Sequence, residues 1–275
     1  MEKIKISELN RPHHAWSKVP EVTVYFWIIK VLTTGVGETT SDYLVHVLDP
    51  AIAVVLGGIG FVVALVLQFK ASRYVPWIYW LQVVMVAIFG TMAADVLHIG
   101  LGIPYIASTI FFLIALALIF ALWYTVEKTL SIHSIYTRRR EVFYWSTVMT
   151  TFALGTAAGD MTAVTLHLGY FSSGVLFAVL IAVVTALHYI ARGILAAEHK
   201  QQSRNAVLTF WLAYILTRPL GASFADWMGV THARSGLGWG TGHVSLGLFV
   251  IIILLVGNIT MSHKDEIVER VKRPY

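Results

Sequence analysis

The hydropathy of this chain alternates between long apolar segments and short polar connections. A helix needs about 20 apolar residues to cross a bilayer, and eight segments are that long. They lie at about residues 22–45, 50–69, 76–100, 104–125, 144–168, 172–192, 206–230 and 241–261. The pattern predicts an all-α integral membrane protein with eight transmembrane helices in a single membrane domain at residues 22–262. We expect a cytoplasmic N-terminal arm at 1–21 and a cytoplasmic tail at 263–275.

Every second apolar segment carries the same motif. An aromatic residue and a tryptophan are followed ten residues after the Trp by a glycine, and five residues later by an aspartate. The copies are Trp27, Gly37 and Asp42; Trp80, Gly90 and Asp95; Trp145, Gly155 and Asp160; and Trp211, Gly221 and Asp226. A register kept four times indicates an internal repeat, with copies at about 22–69, 76–125, 141–192 and 206–261.

Each repeat contains two spans and is predicted to form a helical hairpin. The four motif helices then run in the same direction, as parallel repeats do, and their aspartates lie at one depth. The even-numbered helices are more uniformly apolar and suit lipid contact, so we expect the odd-numbered helices inside the bundle.

The composition supports a membrane location. Charged residues make up 13% of the 275 residues, against about a quarter in soluble domains. By this topology, 17 of the 20 Lys and Arg residues lie on one side, which predicts that both termini are cytoplasmic. The same bias explains the net charge of +5, so we expect the bilayer as a partner and no nucleic acid. The absence of cysteine excludes thiolate metal sites and disulfides.

The motif aspartates are the first candidates for function, because an ionisable group inside a membrane is costly. Glu38 precedes Asp42 by four residues and shares its helical face. We predict ion binding or proton coupling at Asp42, Asp95, Asp160, Asp226 and Glu38. The alternative is that the aspartates only bond to polar groups of neighbouring helices.

A histidine follows each motif aspartate, at His46, His98, His167 and His232. The first three offsets are four, three and seven residues and place His and Asp on one helical face. The fourth offset is six, and Gly229 is a candidate end for that helix. Carboxylate with imidazole is a ligand set for transition metals, so the four Asp/His pairs are candidate metal ligands. The alternative, given equal weight, is that these histidines only lie at the membrane interface, as histidines at helix ends often do.

The motif glycines have two interpretations. Small residues let helices approach closely in membrane bundles, and this interpretation is favoured. Alternatively, a helix is locally unwound there and exposes carbonyls to an ion, most plausibly at Gly221 beside Pro219. Lys30 follows Trp27 by three residues and is expected to extend to the cytoplasmic surface.

Arg218 lies about 12 Å below Asp226 along the helix, near the bilayer midplane. An arginine at that depth needs an acidic partner or a polar cavity. Glu38 or a motif aspartate is the expected partner, because repeats one and four match beyond the core motif. The pair is either a gate with charge compensation or a structural ion pair.

The repeat and its tryptophans resemble a family of bacterial inner-membrane proteins built from four tandem two-helix repeats of unknown function. The resemblance covers about residues 20–262. It implies the eight-helix fold and a location in the bacterial inner membrane, and it implies no activity.

Function therefore depends on the residues. We expect a small secondary transporter or exporter of a cation, with a divalent transition metal such as manganese as the leading candidate. Ion entry would displace protons from clustered carboxylates, which predicts pH-dependent binding. The alternatives are a transporter of a small organic or anionic solute using Arg218, a haem-binding redox protein with ligands among His46, His98 and His167, and a structural or sensory protein of the envelope. The sequence contains no nucleotide-binding or hydrolase motif, so no enzymatic activity is predicted. Homo-oligomerisation is compatible with the sequence.

Overall fold

The computed structural model describes residues 17–194 and 199–272, and this part of the chain contains eight α-helices. They are α1 (Val24–Val47), α2 (Pro50–Lys70), α3 (Pro76–Asp95), α4 (Tyr105–Glu127), α5 (Arg138–Asp160), α6 (Gly169–Ile194), α7 (His199–Gly229) and α8 (Thr241–Lys272). Short 3-10 turns lie at Ile132–Ser134 and His232–Arg234, and π-helical segments extend α3 and α5 at Val96–Gly100 and Met161–Thr165.

The eight predicted segments correspond to these helices. The main differences are that α5 begins at Arg138, that α7 begins at His199 and that α8 continues to Lys272. The predicted tail at 263–275 is therefore helical for most of its length, while residues 273–275 lie outside the described residues. Residues 1–16 of the predicted arm also lie outside them.

Local sequence signals explain several helix starts. Thr23 caps α1 by accepting a hydrogen bond from the backbone N–H of Phe26, and Thr137 caps α5 in the same way. Asp49 caps α2 and is followed by Pro50, a residue favoured in the first helical turn.

Six helices are long and apolar enough to cross a membrane: α2, α3, α4, α6, α7 and α8. The other two, α1 and α5, are more polar. Lys30, Glu38 and Asp42 lie within α1, and α5 begins with four charged residues and continues with several Thr, Ser and Gly. By length and composition, the chain thus has the features of a helical membrane protein.

The odd-numbered helices form a closed inner ring. Within it, α1 contacts α3, α3 contacts α5, α5 contacts α7, and α7 contacts α1. The even-numbered helices bury far fewer side chains and expose large apolar residues on their outer faces. The prediction that the motif-bearing helices lie inside is confirmed.

The even-numbered helices make their largest contacts outside their own repeat. Each packs mainly on the inner helix of the following repeat: α2 on α3, α4 on α5, α6 on α7, and α8 on α1. Complementary residues explain one of these pairings, because Gly57 and Gly58 of α2 face large side chains of α3. A Cβ added at Gly57 would lie 2.7 Å from the Sδ of Met92, and one at Gly58 would lie 3.2 Å from the ring of Phe89. The four consecutive helix pairs predicted from the sequence are present, and each outer helix in addition joins its repeat to the next one.

Aromatic rings close one end of the inner ring, which we call the aromatic end. The aromatic residue of each motif contacts the tryptophan of the next copy. The centroid distances are 5.8 Å for Phe26 and Trp80, 5.6 Å for Tyr79 and Trp145, 6.3 Å for Tyr144 and Trp211, and 5.7 Å for Phe210 and Trp27. The same contact in all four copies shows that the inner helices run in one direction. Their aspartates therefore share the opposite end, which we call the aspartate end.

Candidate functional site

The motif glycines lie where neighbouring inner helices come closest. Each contacts the residue that stands three positions before the glycine of the next helix. The four contacts are Gly37 with Ala87, Gly90 with Phe152, Gly155 with Arg218, and Gly221 with Thr34. A Cβ added at Gly37 would lie only 2.5 Å from the Cβ of Ala87, so a larger residue would force the helices apart.

These contacts decide between the two interpretations of the glycines. The four inner helices are continuous through the motif glycines, and α7 continues through Pro219. The helix-packing interpretation is confirmed, and the unwound helix expected as an alternative at Gly221 is not present.

Arg218 lies fully buried inside the inner ring. Its Nη2 donates to Oε2 of Glu38 at 2.7 Å, to Oγ1 of Thr156 at 2.7 Å and to Oγ1 of Thr91. Its Nη1 lies 3.4 Å from the carbonyl oxygen of Thr34, to which it donates. Glu38 is thus the acidic partner, as the sequence predicted. One guanidinium connects all four inner helices.

The three side chains whose oxygens accept hydrogen bonds from Arg218 stand at the same position in their respective repeats. Glu38, Thr91 and Thr156 each directly follow a motif glycine. Neither threonine was predicted from the sequence. The signal that could have identified both is that they directly follow the motif glycine, as Glu38 does.

The aspartates lie one helical turn beyond this layer. Each follows its glycine-plus-one residue by four positions, or about 6 Å of helix, and therefore faces the same side. Glu38 lies within electrostatic reach of Asp42, Asp95, Asp160 and Asp226. Asp226 is 5% exposed, and its Oδ1 has no hydrogen-bond partner among the described residues. The structure thus directs five carboxylates toward one interior region.

Comparison with known proteins agrees with this fourfold construction. A family model described as Repeat of Unknown Function (DUF347) matches residues 25–74, 78–129, 143–193 and 209–265. The chain belongs to the DUF347 repeat family. Each match covers one inner helix and the outer helix that follows it. No curated protein and no solved structure shows significant similarity to the chain.

The histidines of the DUF347 repeats do not share the interior with the aspartates. His46 is exposed, and its Nδ1 lies 2.6 Å from the carbonyl oxygen of Asp42. His98 is buried against Ser108 and the ring of Tyr105. His167 and His232 are exposed, at the ends of their helical segments.

The π-helical segments explain why the predicted Asp/His faces fail in the second and third repeats. The α-helix ends at Asp95 and at Asp160, and the backbone changes to i→i+5 bonding directly afterwards. Offsets of three and seven residues then no longer place both side chains on one face. In the fourth repeat, α7 ends at Gly229, as the sequence suggested.

Within the described residues, no three His, Asp or Glu side chains are grouped as metal ligands. Of the three histidines considered as haem ligands, His46 and His167 are exposed, and His98 packs against Ser108 and Tyr105.

Lys30 lies inside the inner ring and not at the surface as predicted. It is 1% exposed, and its Nζ has no hydrogen-bond partner among the described residues. The Nζ lies 4.5 Å from the ring centroid of Phe152 and 4.3 Å from that of Tyr214. The prediction that Lys30 extends to the surface is wrong, because the closed aromatic end lies between it and the solvent.

Proposed function

We propose that this protein is a membrane-embedded transporter of a cation. Its eight helices would span a bacterial inner membrane, with the aromatic end toward the cytoplasm and the aspartate end outward. Six apolar helices and the exposed apolar faces of the outer helices support the embedding. The distribution of Lys and Arg supports the orientation, with both termini in the cytoplasm.

One observation carries the proposed substrate class. The repeats direct four aspartates to a common interior, one helical turn from Glu38, and a buried oxygen of Asp226 has no donor among the described residues. A buried carboxylate without a partner is costly, and a cation bound among several carboxylates would remove that cost. We assign the binding site to the aspartates; because no three of the described acidic side chains are grouped closely enough to hold a metal ion, binding would draw the aspartates together.

The Arg218–Glu38 pair lies between this site and the aromatic end. A guanidinium held by all four inner helices repels a cation and blocks its path, so the pair acts as a gate. Passage requires Glu38 to leave Arg218 and contact the ion. Lys30 is a second buried basic side chain on this path and lies nearer the aromatic end.

The donor set indicates which cation fits. The interior offers carboxylate oxygens, while the histidines lie elsewhere. Carboxylates and water suit Mn²⁺, Mg²⁺ and Ca²⁺ better than Zn²⁺ or Ni²⁺. Manganese therefore stays a candidate substrate beside Mg²⁺ and Ca²⁺, now with an oxygen-only site.

A second candidate function rests on Arg218. Its Nε is buried without a hydrogen-bond partner among the described residues, so a small anionic solute could take that bond. The Nη groups are already used by Glu38 and the two threonines, which weighs against this alternative.

The test is the melting temperature of the detergent-purified protein with Mn²⁺, Mg²⁺, Ca²⁺, Na⁺ or small carboxylates. A ligand that binds only the folded protein raises its stability. We expect a selective rise with one divalent cation that Asp95→Asn/Asp160→Asn loses. Asp49→Asn is the matched control, because it removes an exposed carboxylate at the same end and Asn caps a helix equally well. A rise with carboxylates alone would favour the anionic solute, and no rise with any cation would refute the proposal.

A further inference from the structure

A shallow groove of about 390 Å³ lies at the aromatic end, on the outer surface of the bundle. It is formed by the last turns of α2 and the first residue of α5. Val66 and Phe69 provide its apolar wall, and Lys70 and Arg138 provide its charge. The proposed transport path does not use it.

No carboxylate of the described residues compensates the positive charge of this groove. Among the three consecutive arginines at the start of α5, Arg139 and Arg140 both pair with Glu127. Arg138 and Lys70 contact no carboxylate among the described residues. The guanidinium of Arg138 instead lies 4.6 Å from the ring centroid of Phe69, which holds it at the groove.

The N-terminus of α5 adds to this field. A helix N-terminus favours negative charge, and α5 is a helix of 23 residues. Two cations and a helix N-terminus therefore lie beside one groove, which suits a phosphate group.

An exposed apolar stripe leads along α2 to the groove. Its members recur at a spacing of three or four residues and are Ile52, Val55, Leu56, Ile59, Val63 and Val66. An acyl chain packed on this stripe would place its headgroup beside Lys70 and Arg138. The stripe distinguishes a lipid from a free phosphate ion.

We propose that this groove binds one anionic phospholipid, with its phosphate between Lys70 and Arg138 and its acyl chains along α2. The inference rests on the membrane embedding proposed above. It is independent of the transported substrate.

The experiment titrates phosphatidylglycerol into the detergent-purified protein and measures the melting temperature, with phosphatidylcholine and inorganic phosphate in parallel. We expect a saturable rise with phosphatidylglycerol only. In Lys70→Gln/Arg138→Gln, the lipid concentration that gives half of the maximal rise in melting temperature should be about thirtyfold higher. The reason is that each basic side chain contributes about 1 kcal/mol at an anionic surface.

The charge-matched control is Arg73→Gln/Arg192→Gln, which removes two exposed cations that do not line the groove. It should respond like the wild type. An equal loss in both double variants would show a general charge effect and overturn the site, as would a rise with inorganic phosphate or no rise with phosphatidylglycerol. If the groove variant is poorly folded, Lys70→Gln alone should give about a fivefold loss. The cation panel on the same preparation separates failure of this inference from failure of the proposed transport function.

Discussion

Replacing Glu38 with Gln removes the one carboxylate that contacts Arg218 among the described residues. The guanidinium is fully buried, so it cannot turn to water when its partner is lost. Removing one member of a buried ion pair costs about 3–5 kcal/mol. Because Gln can still accept one hydrogen bond and Thr91 and Thr156 stay in place, we expect the lower end, about 3 kcal/mol. For a domain of this size that is a decrease of roughly 6–12 °C in melting temperature.

The assay follows tryptophan fluorescence of the detergent-purified protein on heating, for wild type, Glu38→Gln, Arg218→Met and the double variant. A buried pair can often be replaced by uncharged residues at little cost, so the double variant should recover most of the lost stability. Asp49→Asn should melt like the wild type. A loss below about 1 kcal/mol in Glu38→Gln, or a double variant less stable than either single one, would refute the buried-pair argument.

Two further predictions concern the packing of the inner ring. Gly37→Ala should destabilise the protein by about 1–3 kcal/mol through overpacking. Gly247→Ala is the control and should be neutral or slightly stabilising, because its added Cβ has open space around it. Equal melting temperatures for the two variants would contradict this prediction. Lys30→Met should melt at or above the wild-type temperature, since it replaces a buried amine for which the described part of the chain offers no hydrogen-bond partner. A decrease of several degrees would instead show that the ammonium stabilises the ring.

The helices and the inner ring could be predicted because the sequence carries the signals directly. Long apolar segments mark the helices, and the exact spacing from Trp to Gly to Asp implies that four helices are equivalent. The partner of Arg218 was predictable for a related reason, since an arginine at that depth needs an acid and Glu38 is unique to repeat one.

The pairing of outer with inner helices was not predictable, because it depends on the fit of side chains such as Met92 against Gly57. The histidine faces failed because a change from α- to π-helix after Asp95 leaves no clear mark in the sequence. Lys30 was misjudged because its depth depends on the aromatic closure, which involves residues from all four repeats.

The most direct test of a single shared site is the stoichiometry of ion binding, measured by calorimetric titration of Mn²⁺ into the purified protein. The account predicts one ion per chain and a weakening by each single change at Asp42, Asp95, Asp160 and Asp226 to Asn. Binding at two independent sites, or a loss confined to one aspartate, would contradict the claim that the four repeats build one cation site.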